Sequence, residues 1–298
     1  MARLPEPLQA RLEDAARAYF DAPGFAIDFS EPRGAPALFT PTSPAWRIMK
    51  NPVALTIGGI AAVILELAEP RVRTGVWDHT NFRTDPVRRM KRTGMAAMVT
   101  IYAPAEKARA MIAGVVRAHD RIQGMTPAGT HYRANDEELL NWVQATASYG
   151  FFEAYHRFVQ PLSSAQLDRA YADGYEAAAL YGARGAPRSS AEMARLFDVM
   201  RPTRERSDIV FDFLEIVRSA PILPSTALRR LMVRAAVELT PPWARDILGL
   251  DARHGLRIGG AAALRAIGAA TDRLLIENAP PAQACQRMGL PSDFLYRR

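Results

Sequence analysis

The chain has 298 residues, 49% of them hydrophobic and 23% charged, a balance that supports one or two well-packed domains and excludes a disordered polyelectrolyte. A single cysteine, Cys285, excludes an internal disulfide and any cysteine-rich zinc or iron–sulfur centre, which points to a reducing, cytoplasmic setting. The net charge of +7 is carried by arginines rather than by the three lysines Lys50, Lys91 and Lys107, and they are scattered with no dense basic run, so nucleic acid is not an expected partner.

Taken in chain order, the segment "MARLPEPLQARLEDAARAYF" is charged throughout and lacks the apolar stretch of an export signal. A helix is predicted near 6–20, and the Pro-, Gly- and Ser-rich residues 21–45 are predicted to wrap the surface as an ordered arm. The apolar run "VALTIGGIAAVILELAEP" is interrupted by Thr56, Gly58, Gly59 and Glu66 and falls short of the ~20 apolar residues that a membrane span needs, so a buried helix over 45–68 is expected. Helical periodicity continues near 86–101, 104–123, 136–160, 164–181, 190–200, 204–218, 225–239 and 256–276, and no alternating strand-like run interrupts it. Several starts are signed: Ser43 before Pro44, Asn135 or Asp136 ahead of two glutamates, and "SSAE" at 189–192 with capping-box spacing. The expected fold is all-α, with an arm and first helix over 1–44 and a helical domain over 45–298. "YGARGAPRSS" at 181–190 is the best internal linker. "LTPPWARDILGL" reads as an amphipathic helix covering the core, with peripheral membrane contact through Trp243, Leu248 and Leu250 left open.

Chemistry concentrates in two stretches. In "MIAGVVRAHDRIQGM", Met111, Ile112, Val115, Val116 and Ile122 form an apolar helical stripe with His119 inside it. A lone histidine there is ordinarily a hydrogen-bonded core residue, so the case for function depends on what faces it. Upstream, a helix beginning at Pro86 would place Arg89, Arg92, Thr93, Ala96 and Thr100 on one face, with Gly94 and Ala97 allowing a flat, rigid body to approach the backbone. Haem suits such a pair of walls: the iron takes one neutral imidazole, the propionates take arginines, and the macrocycle takes apolar surface. Non-haem di-iron is a competing reading, because "FFEAYH" sets Glu153 and His156 in Glu-x-x-His spacing; the sequence holds no second copy, and "DARH" at 251–254 is the nearest echo.

The order "GGIAAVILELAEPRVRTGVWDHTNFRTDPVRRMKRTG", "VVRAHDRIQG", "YRANDEELLNWVQATASYGFFEAY", "LSSAQLDRAYADG" and "PILPSTALRRLMVRAAVELTPPWARDILGL" resembles the MpaB and latex-clearing-protein family, the rubber oxygenase catalytic domain, over roughly residues 45–250. The resemblance implies an all-helical fold of globin-like character that binds haem b non-covalently and oxidises apolar substrates with dioxygen. It assigns His119 as the proximal iron ligand, with Gly124 nearby, and places Arg89, Arg92 and Thr93 on the distal side. Rubber-cleaving relatives carry a lysine where this chain has Arg92, and many relatives read histidine where it has Gln144. Arginine is a very poor iron ligand and helical phase turns Lys91 away, so an amine-capped iron is not expected. His79, in "GVWDHTNF", is expected near the haem edge or its propionates, or in a supporting role. The resulting expectation is a haem b-dependent oxidoreductase using dioxygen or peroxide on a small to medium, partly apolar substrate, with Arg92 and Thr93 polarising bound oxygen; a non-catalytic haem carrier or sensor is the alternative.

Overall fold

The computed structural model describes residues 27–221 and 225–297, so the helix predicted near 6–20 lies outside the described residues. From residue 27 the chain runs irregularly to 43, burying Phe29 and Phe39. This arm is tied to the far end of the chain. The guanidinium of the buried Arg287 donates to the carbonyls of Ala35 (2.9 Å) and Phe29 (2.6 Å), and Gly34 N–H donates to the Arg287 carbonyl (2.6 Å).

The single helix predicted over 45–68 is two, α1 (Pro44–Met49) and α2 (Pro52–Glu66). Pro52 has no N–H for a continuing helix and pushes Asn51 into extended geometry; the Asn51 side chain then caps the new helix, accepting from Val53 N–H (3.0 Å) and Ala54 N–H (3.2 Å). α3 (Pro70–His79) was not foreseen, since "PRVRTGVWDH" buries only Val72, Arg73 and Thr74 and shows no apolar stripe; it starts at Glu69, whose side chain accepts from Arg71 N–H. α4 (Pro86–Tyr102) and α5 (Ala105–His119) follow, then a two-stranded antiparallel hairpin, β1 (Gln123–Met125) and β2 (His131–Arg133), with Gly124 opposite Tyr132. The hairpin corrects the expectation of no strands and ends α5 four residues earlier than predicted. α6 (Glu137–Phe158), α7 (Ser164–Tyr181), α8 (Ser190–Met200), α9 (Ile209–Ser219), α10 (Thr226–Leu239), α11 (Pro242–Leu248), α12 (Gly260–Thr271) and α13 (Pro280–Arg287) complete the described helices. α9 and α12 are shorter than predicted, and α13 is an addition.

The fold is a single all-α domain whose main core cluster runs from Phe29 to Leu295. Its axis is the crossing of α2 and α6. Gly58 and Gly150 lie back to back there: a Cβ on Gly150 would stand 2.3 Å from the Gly58 carbonyl oxygen, and one on Gly58 would meet Gly150 backbone at 2.7 Å. The glycines that weakened "TIGGI" as a membrane span are what let the two backbones touch. Among the described residues no single helix is long and apolar enough to cross a membrane; α2 and α3 together have the composition but bend by 112°.

The expected linker at 181–190 is packed. Gly182, at φ +97°, closes α7; Ala183 and Ala186 bury against Leu140; and Gly185 N–H donates to Asn141 Oδ1 (2.9 Å). α11 covers the core: Leu248 and Leu250 are buried, and Trp243 meets Phe197 edge-on at 5.8 Å.

Candidate functional site

The hairpin decides where the imidazole lies. After Asp120 the chain turns, Ile122 N–H donating to the His119 carbonyl (2.9 Å), and enters β1 with Gly124 beneath the Tyr132 ring, where a Cβ would stand 2.8 Å from the phenol oxygen. Ile122, expected on the apolar stripe, is therefore off the helix, and His119 is the last residue of α5. Asn135, just past β2, closes the exposed end of α5: its amide Nδ2 donates to the Val116 carbonyl (3.0 Å) and to Asp120 Oδ1 (2.7 Å). Asp136, not Asn135, is the N-cap of α6.

Along α5, Ile112 points into the core, whereas Met111, Val115, Val116 and His119 are only half-buried. The Nδ1 atom of His119 is sealed from solvent without a hydrogen-bond partner. Nε2 is also unpartnered but is not sealed. Burial pushes the His119 pKa down, the nearby Arg89 charge pushes the same way, and Asn135 opposes them. Burial and the Arg89 charge thus both favour the neutral imidazole, the form that ligates metal.

α4 supplies the facing groups. Asp85 caps it, its carboxylate accepting from Arg88 N–H (3.2 Å), and Pro86 takes the first position. Arg89 donates from Nη1 to Thr93 Oγ1 (2.7 Å), and the Thr93 hydroxyl donates back to the Arg89 carbonyl (3.0 Å). Arg89 is held low by burial, with the Glu66 charge opposing and the Arg92 charge adding to the effect. Arg92 itself is exposed. At the far end of the same face Thr100 meets the Tyr181 hydroxyl (3.1 Å), which approaches Met111 Sδ at 4.0 Å. α4 and α5 therefore run antiparallel with matching faces, Arg89 near His119 and Thr100 near Met111.

A residue that read in the sequence only as an interruption completes the group. Glu66 ends α2, deep in the packing but with some solvent contact, and burial raises its carboxyl to about 7 against the pull of Arg89 and of the Thr146 hydroxyl, which donates to it at 3.4 Å. Leu55, Gly59 and Val63 on α2 and Val143, Ala147 and Phe151 on α6 form half-buried apolar stripes leading to it, in contact where Gly59 meets the Phe151 ring. Arg89 is thus the common neighbour of one imidazole, a second guanidinium and a titrating carboxyl, each coupled to its charge.

The family model described as "ER-bound oxygenase mpaB/B'/Rubber oxygenase, catalytic domain" matches residues 46–273, well over half of the chain. The chain belongs to this family. Neither a curated protein nor a solved structure matches it. An oxygenase catalytic domain is accordingly the frame in which the site's residues are to be understood.

Within that frame the donor set fits a porphyrin better than a bare metal ion. A bare ion in an oxygenase needs three or more protein ligands, and among the described residues no three His, Cys, Asp or Glu side chains come together as a metal site. A porphyrin needs one imidazole, cations for its carboxylates and apolar walls, which is what His119, Arg89 with Arg92, and the half-buried stripes present. Glu153 and His156, the basis of the di-iron reading, gain no further carboxylates; His156 Nδ1 accepts from Leu162 N–H (2.9 Å) and serves the turn after α6.

The structure brings Arg89 close to His119 and bonds Thr93 to Arg89, with Thr93 and Arg92 both exposed. His79 is exposed at the end of α3, on a helix that packs Gly75 against the Tyr132 ring. Gln144 is half-buried on α6 and donates to Ser148 Oγ (3.4 Å). The signal for Glu66 was present in the sequence, a carboxylate in an otherwise apolar run, but its partners Arg89 and Thr146 lie on other helices.

Proposed function

We propose that this member of the family is a haem b-dependent oxygenase acting on a small to medium, partly apolar organic molecule, with dioxygen or peroxide as oxidant. The observation that carries the reading is a His119 ring whose Nε2 is not among the sealed atoms, close enough to Arg89 for that charge to act on it. His119 would hold the iron, and Arg89 and Arg92 are the groups available to its propionates. When bound, the haem supplies the activation of oxygen that no side chain can perform.

The chain's own residues then have distinct tasks. The half-buried aliphatic and aromatic stripes of α2 and α6 take an apolar substrate and exclude water. The guanidinium of Arg89, held by Thr93 through two hydrogen bonds, presents its remaining N–H donors toward developing negative charge. Arg92, whose guanidinium has no nitrogen lone pair to offer, would not serve as an iron ligand. Glu66, with a carboxyl near pH 7, takes or returns a proton beside Arg89 in the range where acid–base groups work best. A titrating carboxyl at this point favours a catalyst over a carrier or sensor, which needs none.

The test is reconstitution. Purified chain supplied with haem should take up one equivalent with a Soret band, and His119→Ala should lose it; Glu66→Gln should retain the band while oxygen or peroxide turnover falls by about 10²–10⁴. An absent Soret band, or an unchanged spectrum in His119→Ala, would end the haem reading.

A further inference from the structure

The imidazole of His119 and the amide of Asn135 each leave one buried atom without a partner, Nδ1 on the ring and Oδ1 on the amide. The two side chains are neighbours: Asn135 spans the end of α5, bonded to Val116 on one side of His119 and to Asp120 on the other. The two orphaned atoms are not hydrogen-bonded to each other in the present side-chain positions. We propose that Asn135 is a positioning residue that accepts from His119 Nδ1–H and so fixes the tautomer in which Nε2 carries the free lone pair.

The orientation of the amide is not free. Both hydrogens of Nδ2 point at acceptors, the Val116 carbonyl at 3.0 Å and the Asp120 carboxylate at 2.7 Å. Flipping the amide would set its carbonyl oxygen against two other oxygens and strand the amide hydrogens beside His119. With Oδ1 facing the ring, only a proton on Nδ1 satisfies both buried atoms; the opposite tautomer would oppose two lone pairs. A small rotation of either side chain closes the bond. Asp120 acts behind it, because a carboxylate bonded to Nδ2 draws the amide toward its charge-separated form and makes Oδ1 a better acceptor. The result is a carboxylate–amide–imidazole relay, Asp120 to Asn135 to His119, in place of the carboxylate that directly orients many ligating histidines.

The tautomer stands on the protein alone; its consequence for iron rests on the haem reading above. A neutral amide takes less of the Nδ1 proton than a carboxylate would, so the imidazole stays a moderate electron donor and a bound iron is held at a higher reduction potential than behind an Asp–His pair.

The full chain without haem, labelled with ¹⁵N, gives the direct test by long-range proton–nitrogen correlation at neutral pH, His119 being assigned by the signal lost in His119→Gln. The expected spectrum shows a pyrrole-type Nδ1 and a pyridine-type Nε2, and a pyrrole-type Nε2 would overturn the proposal. Asn135→Ala should shift the ring toward Nε2–H, and the milder Asp120→Asn, which leaves the Val116 bond in place, should give a smaller shift in the same direction. A ring that remains Nδ1–H in both variants removes Asn135 from the role. An Nδ1–H ring in a chain that takes up no haem would defeat the haem reading and leave this one standing; a Soret band with an Nε2–H ring would do the reverse.

Discussion

Glu66 and Glu69 stand three residues apart at the joint between α2 and α3, and the fold treats them in opposite ways. Glu69 is 1% exposed, and its charge is met on both sides: Arg71 bonds one carboxylate oxygen, and Arg204, whose side chain is wholly buried, bonds the other at 2.6 Å. Arg204 lies over the Trp142 ring at 4.6 Å, and Arg71 continues to Glu138 at 2.9 Å. Glu66 has one weak hydroxyl donor and a cation that acts on it without a direct bond, and its carboxyl rises to about 7. Burial alone therefore does not mark a working carboxylate. A buried acid whose charge is fully met is a structural lock, and one whose charge is half met exchanges protons near neutral pH.

The largest expected effect is on the lock. Arg204→Ala leaves the Glu69 carboxylate buried with only Arg71 as a cationic partner and should cost about 3–5 kcal/mol of stability by urea unfolding. A loss below about 1 kcal/mol would show that the joint is held by packing and erase the contrast with Glu66. The next effect concerns Glu66 and carries a pH signature. In the folded chain it keeps a proton up to about 7, whereas an unfolded carboxyl releases it near the ordinary value of 4.5, so stability falls as pH rises through that window. Glu66→Gln should remove the fall, making the variant more stable than the parent at pH 8 by up to about 3 kcal/mol while matching it near pH 4. Parallel stability–pH curves for the two proteins would contradict this. The smallest effect sharpens the same point: Thr146→Val removes the donor at 3.4 Å and should raise the Glu66 carboxyl further, by less than about one unit, read from its ¹³C carboxyl shift against pH. A downward movement would mean that the hydroxyl does not act on the carboxylate.

Much of the architecture was legible because helices announce themselves locally. Ser189 accepts from Glu192 N–H (3.2 Å) as its spacing implied, although the Glu192 carboxylate takes Arg188 N–H (2.8 Å) rather than closing the capping box on Ser189 itself. The break at Asn51–Pro52 was also written in the chain and was overridden by the apolar period on both sides. α3 and α13 escaped for a different reason: each is short and charged or proline-rich, and their buried faces include Arg73 and Arg287, residues that an apolar pattern never selects.

The site divides along the same line. Residues that share a helix group by spacing, as Arg89 and Thr93 do, and an imidazole stands out within an aliphatic stripe. In the sequence Asn135 and Asp136 are equal candidates for the cap of the helix they precede, yet the Asn135 amide bonds the helix before it, across a hairpin too short to show as alternation.

The amino-acid sequence by itself determined the all-α class, most helix starts and the candidate imidazole, because turn chemistry and a 3.6-residue period act over a few neighbouring positions. Only the tertiary structure decided that Glu66 titrates near neutrality, that Glu69 does not stand alone, and which ring nitrogen of His119 remains open. Each of those properties depends on desolvation and on partners contributed by other helices, and neither quantity exists until the chain has packed.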